Sequence, residues 1–220
     1  MNTAPRDALE FPGSDRAFLE PHLPPQDGSA PQLDLPFTTL TFATSLDSSL
    51  ALSPGARTVL SGPHSKAMTH YLRSRHDGIV IGVGTAVADD PGLNCRISGV
   101  GGYGRPGLDG QPRPVVIDPT ARWEFSDDSK LFQLCREGRG RAPWIITAVE
   151  KPNAEKQALL ERYGGRFIQV KMVRTHWPTP NCLARVARHP EIQWSPERHD
   201  RGRWPRHQIP FEPTVHVLVG

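Results

Sequence analysis

The sequence predicts an α/β fold built on a mainly parallel sheet flanked by helices. Three observations carry that prediction. Short runs of β-branched and aliphatic residues recur at 37–45, 78–83, 115–118, 144–149 and 167–170. Stretches with helical spacing of apolar residues stand between several of them. The central runs, such as GIVIGV at 78–83, are continuously apolar rather than alternating, as strands buried on both faces are. Strands that alternate with helices form parallel sheets covered on both sides.

Residues 1–36 hold seven prolines and little apolar period, so 1–35 read as a flexible leader. The first ten residues lack a basic-then-apolar pattern, and no signal peptide is expected. Residues 37–45 (FTTLTFATS) read as the first strand. Pro63, after Ser61 and Gly62, suits the first turn of a helix that ends near His76. Its Ala67, Met68, Tyr71 and Leu72 share one face. A buried strand at 78–83 leads into a short helix and loop at 85–96. The glycines and prolines of 99–114 argue against regular structure there. Two more buried strands follow, at 115–118 and 144–149. A helix at 154–163 closes at Gly164 and Gly165, and a strand at 167–170 completes the pattern.

Beyond Val170 the pattern stops. Residues 171–220 hold seven prolines, eight Lys or Arg against four Asp or Glu, five of the nine His and three of the five Trp. Such a segment offers no regular cover for a sheet, so 36–170 is expected to be a partial domain and 171–220 an atypical, disordered tail. The net charge is only +3. The tail's arginines show neither an amphipathic helix nor regular aromatic spacing, which argues against nucleic-acid binding. No apolar run reaches the length of about 18 residues that a membrane span needs. Three scattered cysteines suggest neither a disulfide framework nor a zinc site, and a reduced, cytoplasmic setting is expected.

The chemistry concentrates in residues 82–96, GVGTAVADDPGLNCR. Gly82 and Gly84 keep side chains away from the carboxyl end of a buried strand, where α/β sheets bind ligands. Thr85 offers a hydroxyl and an N–H near a helix start. Asp89 can accept from ribose or amide groups, and Arg96 can hold a phosphate in a fork. Taken alone, each has an ordinary reading: a tight turn for the glycines, a helix end for Asp89-Asp90-Pro91, and a solvated charge for Arg73.

As a whole, this string resembles the T-V-L-A-D-D-P-x-L-x-x-R signature of the riboflavin-pathway reductases. Residues 37–47, Ser61-Gly62-Pro63, residues 72–77, 114–118 and 144–147 follow the family's order and spacing, so the resemblance covers about residues 36–170. Ser49 stands where glycine is usual. The resemblance implies a dihydrofolate-reductase-like fold, a homodimer and NADPH as cofactor. It implies reduction of 2,5-diamino-6-ribosylamino-4(3H)-pyrimidinone 5′-phosphate, a phosphorylated pyrimidine, to its ribitylamino form. Thr44, Thr85 and Asp89 match positions that contact the cofactor, with Gly82 and Gly84 beside them. Arg73, Leu93 and Arg96 match positions that contact the substrate. No catalytic acid or base and no metal ligand is singled out. The zinc deaminase signature is missing from the sequence, which favours the reductase-only type. A same-fold reductase of a pterin is the rival that the D-D-P-x-L-x-x-R string disfavours.

The family also implies a glycine-rich turn of the type S-V-M-I-E-G-G-G after the strand near Val170. The tail shows none. With one choice of permitted codons, residues 193–208 read one base later give SGVPSVMIEGGGRVI. The tail is therefore expected to be the product of a shifted reading frame, and the domain incomplete at its C-terminal end; the alternative to an active reductase is then a catalytically inactive, frameshifted homologue that binds NADPH poorly.

Overall fold

The computed structural model describes residues 4–24, 37–41, 62–170 and 214–218. In chain order the elements are helix α1 (Gly13–Leu19), a 3-10 turn (Glu20–His22), β1 (Phe37–Thr41), α2 (Pro63–Ser74), β2 (Gly78–Gly82) and α3 (Val83–Asp89). There follow β3 (Val100–Gly101), β4 (Gly104–Arg105), β5 (Arg113–Ile117), α4 (Lys130–Arg136), β6 (Trp144–Thr147), α5 (Ala154–Arg162), β7 (Arg166–Gln169) and β8 (Thr214–Leu218). Six strands form one sheet in the order β1-β8-β2-β5-β6-β7, and every neighbouring pair is parallel. Among the described residues no helix is long and apolar enough to cross a membrane.

The expected elements form for the expected reasons. Pro63 opens α2, where its missing N–H costs nothing. Asn153 caps α5 by accepting from the N–H groups of Glu155 and Lys156. Gly164, at φ +76°, ends the same helix. Alternate strand residues serve opposite faces. Ile79, Ile81, Val116 and Ile145 join the core formed with α3, α4 and α5, whereas Val80, Val115, Trp144, Ile146 and Ile168 cluster together on the other side.

Four features depart from the sequence reading. Residues 4–24 are not a loose leader: Phe11 and Leu23 are buried with Ala67, Tyr71 and Leu72, the apolar face of α2. Arg75 and Tyr71 both donate to Glu20, and Arg75 donates to the Pro24 carbonyl at 2.7 Å. Apolar residues at positions 9, 11, 19 and 23 are too widely spaced to register as a period. Residues 99–114 contain the two-residue strands β3 and β4, with glycines at positive φ making the turns. There Gln111 donates to the carbonyls of Cys95 and Gly101 and accepts from the Cys95 N–H, each at 2.8 Å. The helix α4 was unforeseen because seven residues hold little period, although Leu131, Phe132 and Leu134 are buried. Within the tail, residues 214–218 form β8, which fills the slot between β1 and β2. The rest of the tail lies outside the described residues.

Candidate active site

The strand β2 delivers the site. It ends at Gly82, and Val83 is already the first residue of α3, so the strand is one residue shorter than the sequence suggested. Val83 and Ala86 are buried and fix the helix to the core. Thr85 and Asp89 lie four residues apart, on one side of α3, both half-buried. Gly82 and Gly84 are exposed, and a Cβ on either would meet nothing within 4 Å. Bare backbone, a hydroxyl and a carboxylate therefore share the carboxyl end of a central strand. That donor and acceptor set suits the ribose and amide groups of a dinucleotide. Thr44 lies outside the described residues.

Asp90, next to Asp89, works for the fold. It adopts φ +40°, and its carboxylate accepts from the Lys130 N–H at 3.1 and 3.2 Å, at the start of α4.

The predicted substrate residues divide. Arg73 and Arg96 converge on His70. Arg73 Nη1 donates to the Asn94 carbonyl at 3.0 Å, and its buried Nε has no hydrogen-bond partner among the described residues. Burial, with Arg96 close by, pushes the Arg73 guanidinium down to about 10. The Arg96 backbone N–H donates to His70 Nδ1 at 3.1 Å, and Arg96 Nε lies 3.4 Å from His70 Nε2. Burial, then Arg73, Arg96 and Lys66, push the His70 imidazole down to about 2, so it stays neutral. Leu93 stands apart. Its side chain is only 2% exposed and packs in the core with Ile81 and Phe132. Any contact it makes with a ligand would come from its backbone, held at φ +52°.

Four neighbours escaped the sequence reading. Arg139 and Tyr103 stand by Arg96, bridged by Asp7 from the N-terminal segment. Asp118, at the end of β5 beside β2, is 1% exposed; its Oδ2 accepts from the Trp123 N–H at 2.8 Å, while Oδ1 has no hydrogen-bond partner among the described residues. No local motif marked them, because loops distant in sequence bring them in. A polar groove between Thr147, Gln157, Arg166 and Gln169 lies at the β6–β7 edge, away from β2.

The parallel sheet, with an open glycine end on β2 leading into a short helix that carries Thr85 and Asp89, defines an α/β domain of the dihydrofolate-reductase-like type. The chain belongs to the family described as the RibD C-terminal domain, whose model matches residues 36–193. The match extends past Val170, where the legible pattern ends. The chain is 41% identical over 167 residues to the 2,5-diamino-6-ribosylamino-4(3H)-pyrimidinone 5′-phosphate reductase of Debaryomyces hansenii, covering 76% of this chain and 63% of that one. It is 47% identical over 141 residues to the same reductase of Eremothecium gossypii, covering 60% and 53%. It thus spans about half to two thirds of the length of these fungal relatives. Among solved structures, a riboflavin biosynthesis reductase of Saccharomyces cerevisiae superposes with a TM-score of 0.61 at 28% identity, covering 93% of this chain and 71% of that one. RibD of Acinetobacter baumannii, at 15% identity and a TM-score of 0.53 over 84% of this chain and 40% of that one, shares the fold.

Proposed function

We propose that this chain is an NADPH-dependent reductase of riboflavin biosynthesis. It acts on 2,5-diamino-6-ribosylamino-4(3H)-pyrimidinone 5′-phosphate and yields the ribitylamino compound. The observation that carries the reading is the placement of the family string on α3: Thr85 and Asp89 share one side of a helix that begins at the open end of β2. When bound, the nicotinamide supplies the hydride for the opened sugar. The chain's own part is to bind and orient. Gly82 and Gly84 let a ligand approach the backbone, and Thr85 and Asp89 pair with the cofactor's polar groups. Arg96, with Arg73 behind it, attracts the phosphate. No residue need act as nucleophile. A homodimer in the cytoplasm is part of the proposal.

The test is NADPH oxidation with this substrate by a chain that carries the shifted-frame segment in place of 193–208, followed by loss of NADPH absorbance, with a dihydropterin as control. Arg96→Ala is expected to raise KM about ten- to a hundredfold, the worth of a charge-assisted contact of roughly 1.5–3 kcal/mol. Turnover of the pterin alone, or a KM unmoved by Arg96→Ala, defeats the reading.

A further inference from the structure

Asp7 reaches into the arginine cluster from the N-terminal segment. Its Oδ2 lies 3.5 Å from Arg96 Nη1 and 3.5 Å from the Tyr103 hydroxyl, and its Oδ1 lies 3.3 Å from Arg139 Nη1. The Asp7 carbonyl also accepts from Arg96 Nη1, at 3.4 Å. Ionised partners in full contact stand about 2.7–2.9 Å apart. The carboxylate is thus centred in the cluster but too small to close on all three donors.

The charge balance points the same way. Among the described residues, Lys66, Arg73 and Arg96 act on His70, Arg96 and Arg139 on Tyr103, and the carboxylates that face this group include Asp7 and Glu137. Glu137 takes the outer side of Arg139, accepting from its Nε at 2.7 Å. His70 adds no charge, and burial raises the Tyr103 hydroxyl's pKa, which keeps it a proton donor. Among these described side chains the cations are left in excess by about the charge that a phosphomonoester would balance, roughly −1.5 to −2 at neutral pH.

We propose that Arg96, Arg139 and the Tyr103 hydroxyl form a seat for a phosphomonoester, and that Asp7 occupies it as a built-in competitor. The ligand class rests on the reductase reading above; the seat rests on the geometry. Asp7 can leave at small cost. Its side chain is 44% exposed, against 20% for Arg96 and 25% for Arg139. The firm anchors begin two residues later, where the Leu9 N–H donates to the Arg96 carbonyl at 2.7 Å and the Ser98 N–H donates to the Leu9 carbonyl at 3.0 Å. Residues 4–8 can therefore swing aside without disturbing buried Phe11. A phosphate group has an oxygen for each donor and enough charge to displace one carboxylate.

The experiment is calorimetric titration of the full chain with ribose 5-phosphate, inorganic phosphate and ribose. Asp7→Asn is expected to tighten both phosphates about three- to tenfold. Arg139→Gln and the conservative Tyr103→Phe are expected to weaken them several-fold, and ribose should not bind. Binding of both phosphates places the recognition on the phosphate group itself; binding of ribose 5-phosphate alone assigns the seat to an esterified phosphate. Equal phosphate affinity in the parent chain and Asp7→Asn overturns the competitor, and no loss in both Arg139→Gln and Tyr103→Phe overturns the seat. The two proposals fail separately. Phosphate binding with this Asp7 and Arg139 dependence, but without NADPH oxidation by the chain that carries the shifted-frame segment, keeps the seat and removes the reductase reading. Active reduction with phosphate affinity indifferent to Asp7 and Arg139 does the reverse.

Discussion

Two adjacent carboxylates, Asp89 and Asp90, face different tasks because one residue of helix turns them apart. Asp89 shares a side of α3 with Thr85, whereas Asp90 leaves the helix at positive φ and caps α4. Asp89→Ala is therefore expected to weaken NADPH binding about ten- to a hundredfold with little change in melting temperature. Asp90→Ala should do the opposite, costing about 1 kcal/mol through the lost cap, and Asn at the same position should restore it, since Asn accepts the same bond and tolerates positive φ. Fluorescence titration of NADPH and thermal unfolding of the three variants check the pair; equal losses of affinity would remove the distinction. His70 supplies a second prediction at this scale. Both its nitrogens face N–H donors of Arg96, and its pKa is held far below that of an unfolded histidine. The unfolded chain thus binds a proton below about pH 6.5 that the folded chain refuses, so stability is full above that pH and falls below it by up to ~1.4 kcal/mol per pH unit. His70→Asn should flatten the melting temperature between pH 7.5 and 5.5. An equally steep fall in that variant would refute the assignment.

At the scale of elements, the apolar face of α2 was legible in the sequence but its partner was not. Ala67, Tyr71 and Leu72 announce a buried face by spacing alone. That the N-terminal segment covers them depends on a contact between residues about 50 positions apart, such as Arg75 with Glu20. Phe11 is 3% exposed and stacks on Tyr71 with ring centroids 5.2 Å apart. Phe11→Ala should cost about 3–5 kcal/mol, as a buried aromatic does, and denaturant unfolding of the full chain would measure it. A cost below about 1 kcal/mol would mean that the segment only rests on the helix. Gly164 and Gly165 were likewise legible as a helix stop, yet Gly165 carries a second constraint. A Cβ there would lie 2.5 Å from the Pro143 carbonyl oxygen, a close approach that only the packing of β6 beside β7 creates.

For the molecule as a whole, the tail bears on how complete the proposed cofactor site is. Residues 171–220 contain only Gly202 and Gly220, so the implied glycine-rich turn has no counterpart. Weak NADPH binding is the expected outcome, with a dissociation constant at least tenfold above that of a chain carrying the shifted-frame segment in place of 193–208. Sequencing the transcript across that stretch tests the origin: a message in frame throughout, with no S-V-M-I-E-G-G-G in the next frame, ends the idea. By itself the sequence determined the α/β class, most strands and helices between 37 and 170, and the family string on which the proposed site rests. These follow from period, caps and turn residues, which act over a few positions. Only the tertiary structure decided that β8 lies between β1 and β2, that the Leu93 side chain packs in the core, and that Asp7, Tyr103 and Arg139 meet at Arg96. Each of these depends on which distant segments share a surface, and local spacing carries no information about that.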